Sequence, residues 1–200
     1  MPDAYLFDIG NVIITFDFSK AARKLAAHSG LAAEHALPLV APLTVDLELG
    51  RLTPDEFIKA ASELIGFTGD ASFFRTAFED IFELNLPMVA FIEERKAEGS
   101  PLYLLSNTNG IHAPFFEATY PVFDLFDGRI YSHEVKMMKP DPEIFEVAIN
   151  RLKIIPERTL YIDDLPANCA AGRESGLLAI PYFIGRHDDF LEAVAALERG

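Results

Sequence analysis

Four positions along this chain carry side chains suited to chemistry on an anionic substrate. Asp8 ends the apolar run AYLF; Ser106, followed by Asn107 and Thr108, ends PLYLL; Lys139 sits in MKPDPE; and Asp163 and Asp164 close TLYI. Taken singly, each has an ordinary reading. An Asp or Ser after a strand most often forms a turn or a helix N-cap, paired acids most often mark a solvated loop, and a lone lysine sits on the surface. Taken together, the four would converge at one sheet edge in the order D…S…K…DD. Three carboxylates crowded there repel one another unless a cation sits among them. Carboxylate oxygens, with waters completing an octahedron, are what Mg²⁺ prefers. The chemistry this points to is phosphoryl transfer, in which metal and lysine neutralise a phosphate while a carboxylate attacks phosphorus in line.

Such convergence needs an open parallel sheet, because ligands bind outside the carboxyl ends of its strands. Five short apolar runs read as buried strands: AYLFDI (4–9), PLYLLS (101–106), RIYS (129–132), TLYIDD (159–164) and LLAIPYF (177–183). Helical patterns separate the later ones. DPEIFEVAINRLK has Asp141 as N-cap, Pro142 at the first helical position and Ile144, Phe145, Ala148 and Ile149 at helical spacing. ANCAAGRESG forms a second helix, closed by Gly176. Alternating strands and helices predict right-handed βαβ units, hence an α/β fold with a parallel sheet. Residues 17–92 differ: they are rich in Ala, Leu, Phe and Glu, show no convincing strand, and include a T-x-x-E capping box at Thr53 and Glu56. This interval reads as a helical bundle inserted into a core formed by residues 1–16 and 93–200.

The bulk composition narrows the classes. Half the residues are hydrophobic, which supports a sizeable core without staples. The single cysteine, Cys169, allows no internal disulfide and suits a reducing cytoplasm. MPDAYLFDIG shows neither a basic nor an uninterrupted apolar segment of a signal peptide, and no run is long enough for a membrane span, so a cytoplasmic protein is expected. A formal charge of −14 argues against nucleic-acid or anionic-membrane partners, which need clustered Lys and Arg. A small anionic substrate is compatible, because one lysine and a metal reverse the potential locally.

The four motifs together resemble those of the haloacid dehalogenase-like (HAD) hydrolases. YLFDIGNVII is similar to motif one, LYLLSNTN to motif two, KMMKPDPEIF to motif three and YIDDLPAN to motif four. The resemblance implies a Rossmann-like core and makes Asp8 the nucleophile that becomes an aspartyl-phosphate. It makes Ser106 a phosphoryl contact beside Asn107, and Lys139 the charge balance for nucleophile and phosphate. It also implies a Mg²⁺ site formed by Asp8, the Gly10 carbonyl and Asp164, with Asp163 in support. The helical insert corresponds to the family's C1 cap, and VDLELGRLTPDEF resembles a stretch common in such caps, with Glu48 and Arg51 as candidates for substrate contact. The motif wording is nearest to small bacterial sugar-phosphate phosphatases of the α-D-glucose-1-phosphate type, so the expected partner is a small phosphorylated metabolite.

One position departs from the pattern. Most family phosphatases read D-x-D in motif one, the second Asp protonating the leaving group and then activating water; here that position is Gly10. Gly10 can still offer its carbonyl to a metal, but it cannot move a proton. A sugar 1-phosphate, whose anomeric oxygen leaves more easily, would depend less on the missing acid. Two alternatives follow from the same gap. A 2-haloacid dehalogenase needs no leaving-group proton, although such enzymes lack the acidic pair of motif four. A non-catalytic binding protein would not need Asp8, Ser106 and Lys139 together. Of the remaining polar residues, His112 reads as a helix-start or surface histidine that could line the cleft. His133 and His187 lack metal spacing, and Cys169 reads as a small buried hydrophobe.

Overall fold

The apolar run before Asp8 becomes β1 (Ala4–Phe7), buried along its whole length as a central parallel strand must be. In the computed structural model, which describes residues 2–199, the chain continues through β2 (Ile14–Phe16), α1 (Phe18–Ala26), α2 (Ala33–Glu48), α3 (Pro54–Ile65), α4 (Ala71–Glu79), β3 (Phe82–Leu84) and α5 (Leu86–Ala97). Then come β4 (Leu102–Ser106), α6 (His112–Thr119), β5 (Gly128–Tyr131) and the single-turn α7 (Ser132–Val135). α8 (Pro142–Leu152), β6 (Thr159–Asp163), α9 (Pro166–Glu174), β7 (Leu178–Pro181) and α10 (His187–Arg199) follow.

Five strands form one sheet in the order β5-β4-β1-β6-β7, every pairing parallel. The chain lays β4 and β5 on one side of β1, then crosses over to place β6 and β7 on the other. The order therefore reverses beside β1, the point where an open α/β sheet leaves a crevice. Register sets what reaches that crevice. Phe7 pairs with Leu104 on one side and Ile162 on the other, so Asp8 comes level with Asp163, and Ser106 lies one residue farther along β4.

The helix signals act as read. Asp141 accepts from the Glu143 amide at 3.0 Å with Pro142 at the start of α8. Thr53 and Glu56 close both halves of the capping box on α3. Gly176, at φ +88°, follows α9 where a left-handed residue is needed to turn the chain into β7. Helices α1–α4 bury their own apolar cluster, centred on Phe57, Phe74, Phe78 and Ile65, separate from the clusters on the two faces of the sheet. The phenylalanines of the insert are therefore its core, with Phe57 and Phe78 ring centroids 5.0 Å apart.

The insert differs from the sequence reading in two places. It contains β3, which pairs antiparallel with β2 to make a two-stranded ribbon between cap and core. Three-residue strands are too short to show an alternating pattern. The boundary expected at residue 92 falls inside α5, whose Met88, Phe91 and Ile92 pack into the cluster on one face of the sheet. No helix among the described residues is long and apolar enough to cross a membrane.

Candidate active site

Asp8, Asp163 and Asp164 meet at the carboxyl ends of β1 and β6, with one oxygen from each lying within 4.8 Å of the others. Lys139 reaches between them from the loop before α8. Its side chain is fully buried, with Nζ 2.8 Å from Asp8 Oδ1, 2.7 Å from Asp163 Oδ2 and 2.9 Å from the Leu105 carbonyl. An ammonium with all three protons directed at oxygens is held as an ion. Burial opposes its charge, but Asp8 and Asp163 outweigh that and raise its pKa.

The three carboxylates experience different surroundings. Burial and the neighbouring Asp163 charge push Asp8 up to about 6, against the pull of Lys139. Burial would also raise Asp163, yet Lys139 and a dense set of hydrogen bonds hold it below its ordinary value. Those bonds come from Tyr161 Oη, the Leu165 amide and Asn168 Nδ2, so both Asp163 oxygens are engaged. Asp164 is half-buried and its side chain accepts one bond, from Asn11 Nδ2 at 3.0 Å. Burial, with the Asp163 charge, raises it. Three carboxylates against one ammonium leave an excess of negative charge in a desolvated space, and this donor set fits a hard divalent cation such as Mg²⁺. Among the described residues no hydrogen bond ends on the Gly10 carbonyl, which is therefore available as a further oxygen donor.

A cavity of about 90 Å³ adjoins this cluster, reached through Ile9 and Gly10, which follow Asp8 in the chain, and through Ser106 at the end of β4. Gly10, Ser106, Asn107 and Thr108 line it from the core; Phe18 and Glu48 line it from the cap. Ser106 is buried and makes no side-chain hydrogen bond to the protein among the described residues, so its hydroxyl is open to a ligand. Asn107 is differently placed: its amide brackets the Lys139 backbone, accepting from the Lys139 amide at 2.9 Å and donating to its carbonyl at 3.0 Å. Its side chain thereby holds the Lys139 backbone in position at the cavity's edge.

Glu48, the last residue of α2, is half-buried, and burial together with the Asp8 charge pushes it up to about 7. Arg51 turns away, exposed and paired with Asp46 at 3.0 Å. His112 begins α6 as its position in the sequence suggests, but it is buried rather than on the surface. Its Nδ1 accepts from Asn109, its Nε2 donates to the Phe78 carbonyl, and the Phe78 ring stacks on it at 4.5 Å. Burial drives it down to about 4, so it is neutral at physiological pH and ties α4 of the cap to α6 of the core. Cys169 is buried beneath β6, its thiol pushed up to about 11 by burial, which leaves it inert.

The sequence reading did not single out the residues that hold the site: Asn11, Asn168, Tyr161 and Ser132. Asn11 sits at φ +53°, a left-handed conformation that Asn tolerates better than most residues, so its place after Gly10 is the one signal available in advance.

With this fold and site in view, the match of residues 2–176 to the haloacid dehalogenase-like hydrolase family model shows that the chain belongs to that family. It is 30% identical over 180 residues to the D-ribitol-5-phosphate phosphatase of Bacteroides thetaiotaomicron, covering 86% of this chain and 87% of that protein. It is 27% identical over 139 residues to the sesquiterpene phosphatase astK of Aspergillus oryzae, covering 66% and 68% respectively. Its fold is similar to the crystal structure of a HAD family enzyme from B. thetaiotaomicron in complex with magnesium and inorganic phosphate. The TM-score is 0.81 at 27% identity, with 93% of this chain and 96% of that one covered.

Proposed function

We propose that this HAD-family hydrolase cleaves a small sugar or polyol phosphate through an aspartyl-phosphate on Asp8. The observation that carries the reading is the buried Lys139 bridging Asp8 and Asp163 beside Asp164, next to a cavity lined by Gly10 and Ser106. Asp8, Asp164 and the Gly10 carbonyl would hold Mg²⁺, while Asp163, whose oxygens are already engaged, fixes Lys139. Bound there, the cation would offset charge on the phosphate and orient it toward Asp8.

Asp8, at about 6, is mostly ionised at pH 7 and thus able to attack. Lys139 holds its Oδ1, and the other oxygen approaches phosphorus opposite the ester oxygen. As the phosphorus–oxygen bond forms, the ester bond breaks and the ester oxygen leaves with the bonding electrons, taking a proton that the attacking water later makes good. Ser106 and Lys139 stabilise the equatorial oxygens by fixed donors that need no reorganisation. Water then attacks the acyl phosphate, returning the Asp8 carboxylate and releasing inorganic phosphate. The cap covers the cavity and excludes bulk water.

A narrow cavity suits a compact phosphomonoester, and the relatives named above include a phosphatase of a pentitol phosphate. A phosphate-release screen over sugar and polyol phosphates, with Mg²⁺ and with EDTA, tests the reading. The expected result is Mg²⁺-dependent release from one or a few compact substrates. Chloride release from 2-chloropropionate that EDTA leaves unaffected would instead establish the dehalogenase alternative. Turnover of nothing would leave a binding protein.

A further inference from the structure

In motif one the position from which family phosphatases move a proton is Gly10, which has no side chain to do so. A Cβ on Gly10 would lie 3.0 Å from Cε1 of the partly exposed Phe16 ring, so the ring packs against the place where a second acid would begin. The proton must come from elsewhere on the cavity wall, and few groups there can supply it. Of the lining residues, only Glu48 and His112 carry acidic or basic side chains. His112 has both ring nitrogens engaged, one by Asn109 and one by the Phe78 carbonyl. Glu48 has no side-chain hydrogen bond among the described residues, and it lines the same cavity as Gly10 and Ser106.

Glu48 is also held in place by the core. Ser132 Oγ accepts from the Thr108 amide at 3.0 Å and directs its proton at the Glu48 carbonyl, 2.7 Å away, and the Thr108 carbonyl, 2.9 Å away. Two residues on, Gly50 adopts φ +62° against the backbone of α7, where a Cβ would stand 2.2 Å from the His133 carbonyl. The turn after α2 is thereby seated on the loop that follows Ser106. Glu48 ends a 16-residue helix, where the negative end of the helix dipole disfavours its carboxylate and favours the protonated form.

We propose that Glu48, supplied by the cap, is the general acid and base that this enzyme uses in place of the second aspartate of motif one. The proposal rests on the phosphatase reading above. As the ester P–O bond breaks, the Glu48 carboxyl gives its proton to the departing oxygen. The resulting carboxylate then takes a proton from the water that attacks phosphorus on Asp8, which restores the acid and balances the cycle. The enzyme therefore does not need a substrate with an easily expelled oxygen, and phosphates of ordinary alcohols come within reach.

The test compares leaving groups in the Mg²⁺-loaded full chain. p-Nitrophenyl phosphate needs no proton on its leaving oxygen, whereas the sugar phosphate turned over best in the screen does. Glu48→Gln should lower kcat/KM for the sugar phosphate about 10²–10⁴-fold while leaving that for p-nitrophenyl phosphate within about threefold. It should also slow breakdown of the intermediate, so that phosphorylated protein accumulates after rapid quenching with p-nitrophenyl phosphate. Glu48→Asp should recover part of the sugar-phosphate activity, and thermal melting checks that both variants fold. An equal loss on the two substrates, or no loss on either, would overturn the role of Glu48 and leave the phosphatase reading intact. A wild-type protein inactive toward both substrates would overturn the phosphatase reading and this proposal with it.

Discussion

Replacing Lys139 by Met is the most informative perturbation of the charge arrangement at this site. Methionine keeps most of the apolar stem and removes only the ammonium. The structure then leaves Asp8, with 11% of its side chain exposed, and Asp163, fully buried, side by side without a cation between them. Breaking a buried ion pair from one side costs about 3–5 kcal/mol, because the surviving charge stays desolvated. That is a large part of the roughly 5–15 kcal/mol that holds a typical domain folded. The penalty has a pH signature. Asp8 already stands above its ordinary pKa at about 6, and losing Lys139 raises it further, so the folded variant binds a proton at higher pH than the wild type does. A carboxyl raised in the folded state adds stability as pH falls through its folded pKa. The variant's deficit should therefore narrow by about 1.4 kcal/mol per pH unit over the range where it alone is protonated. Urea unfolding in EDTA at pH 7 and at successively lower pH measures both effects. Lys139→Met combined with Asp163→Asn should be less destabilised than the single variant, since one uncompensated charge is gone. A deficit under about 1 kcal/mol, or one that does not change with pH, would refute the reasoning.

Three further outcomes follow from contacts around the site. Ser132→Ala removes the hydroxyl that ties Glu48 to Thr108 and leaves buried backbone groups unmatched. It should cost about 1–3 kcal/mol in urea unfolding and lower kcat/KM for a sugar phosphate more than for p-nitrophenyl phosphate. His112, depressed by burial to about 4 from an ordinary 6.5, favours folding while neutral. Its contribution is present above pH 6.5 and is lost as pH falls toward 4, about 3 kcal/mol in all, so His112→Phe should show a flatter stability profile across that interval. Asn11→Ala removes the side-chain hydrogen bond that orients Asp164 among the described residues and should weaken Mg²⁺ binding about 10–100-fold by calorimetry, beyond the modest loss of metal-free stability that comes from placing Ala at φ +53°.

The site was legible in the sequence to the extent that strand ends present it. Asp8, Ser106 and Asp163 each follow an apolar run, and the parallel register converts those endings into neighbours. The helices with strong caps, α3 and α8, were legible for the same local reason: Thr53, Glu56, Asp141 and Pro142 act within a few residues of themselves. What depended on distant contacts was not. α2 carries Pro38 and Pro42 inside it, which break the local helical signal, although tertiary packing keeps the helix continuous to Glu48. His112 is polar and begins a helix, so nothing local showed that Phe78, Phe18 and Phe82 would enclose it. Asn107 sits in motif two beside Ser106, yet its side chain serves Lys139 from 32 residues away in sequence. Glu48 was named as a possible substrate contact, but its relation to Gly10 depends on the closure of the cap over the sheet.

The central claim is that Asp8 attacks phosphorus and carries the phosphoryl group. Rapid acid quenching of the Mg²⁺-loaded enzyme during turnover, followed by peptide mass spectrometry, tests it directly. The expected result is one phosphoryl group on the peptide containing Asp8, absent when Asp8 is replaced by Asn and absent in EDTA. Sustained phosphate release from the Asp8→Asn protein, or a phosphoryl group found on another residue, would contradict it.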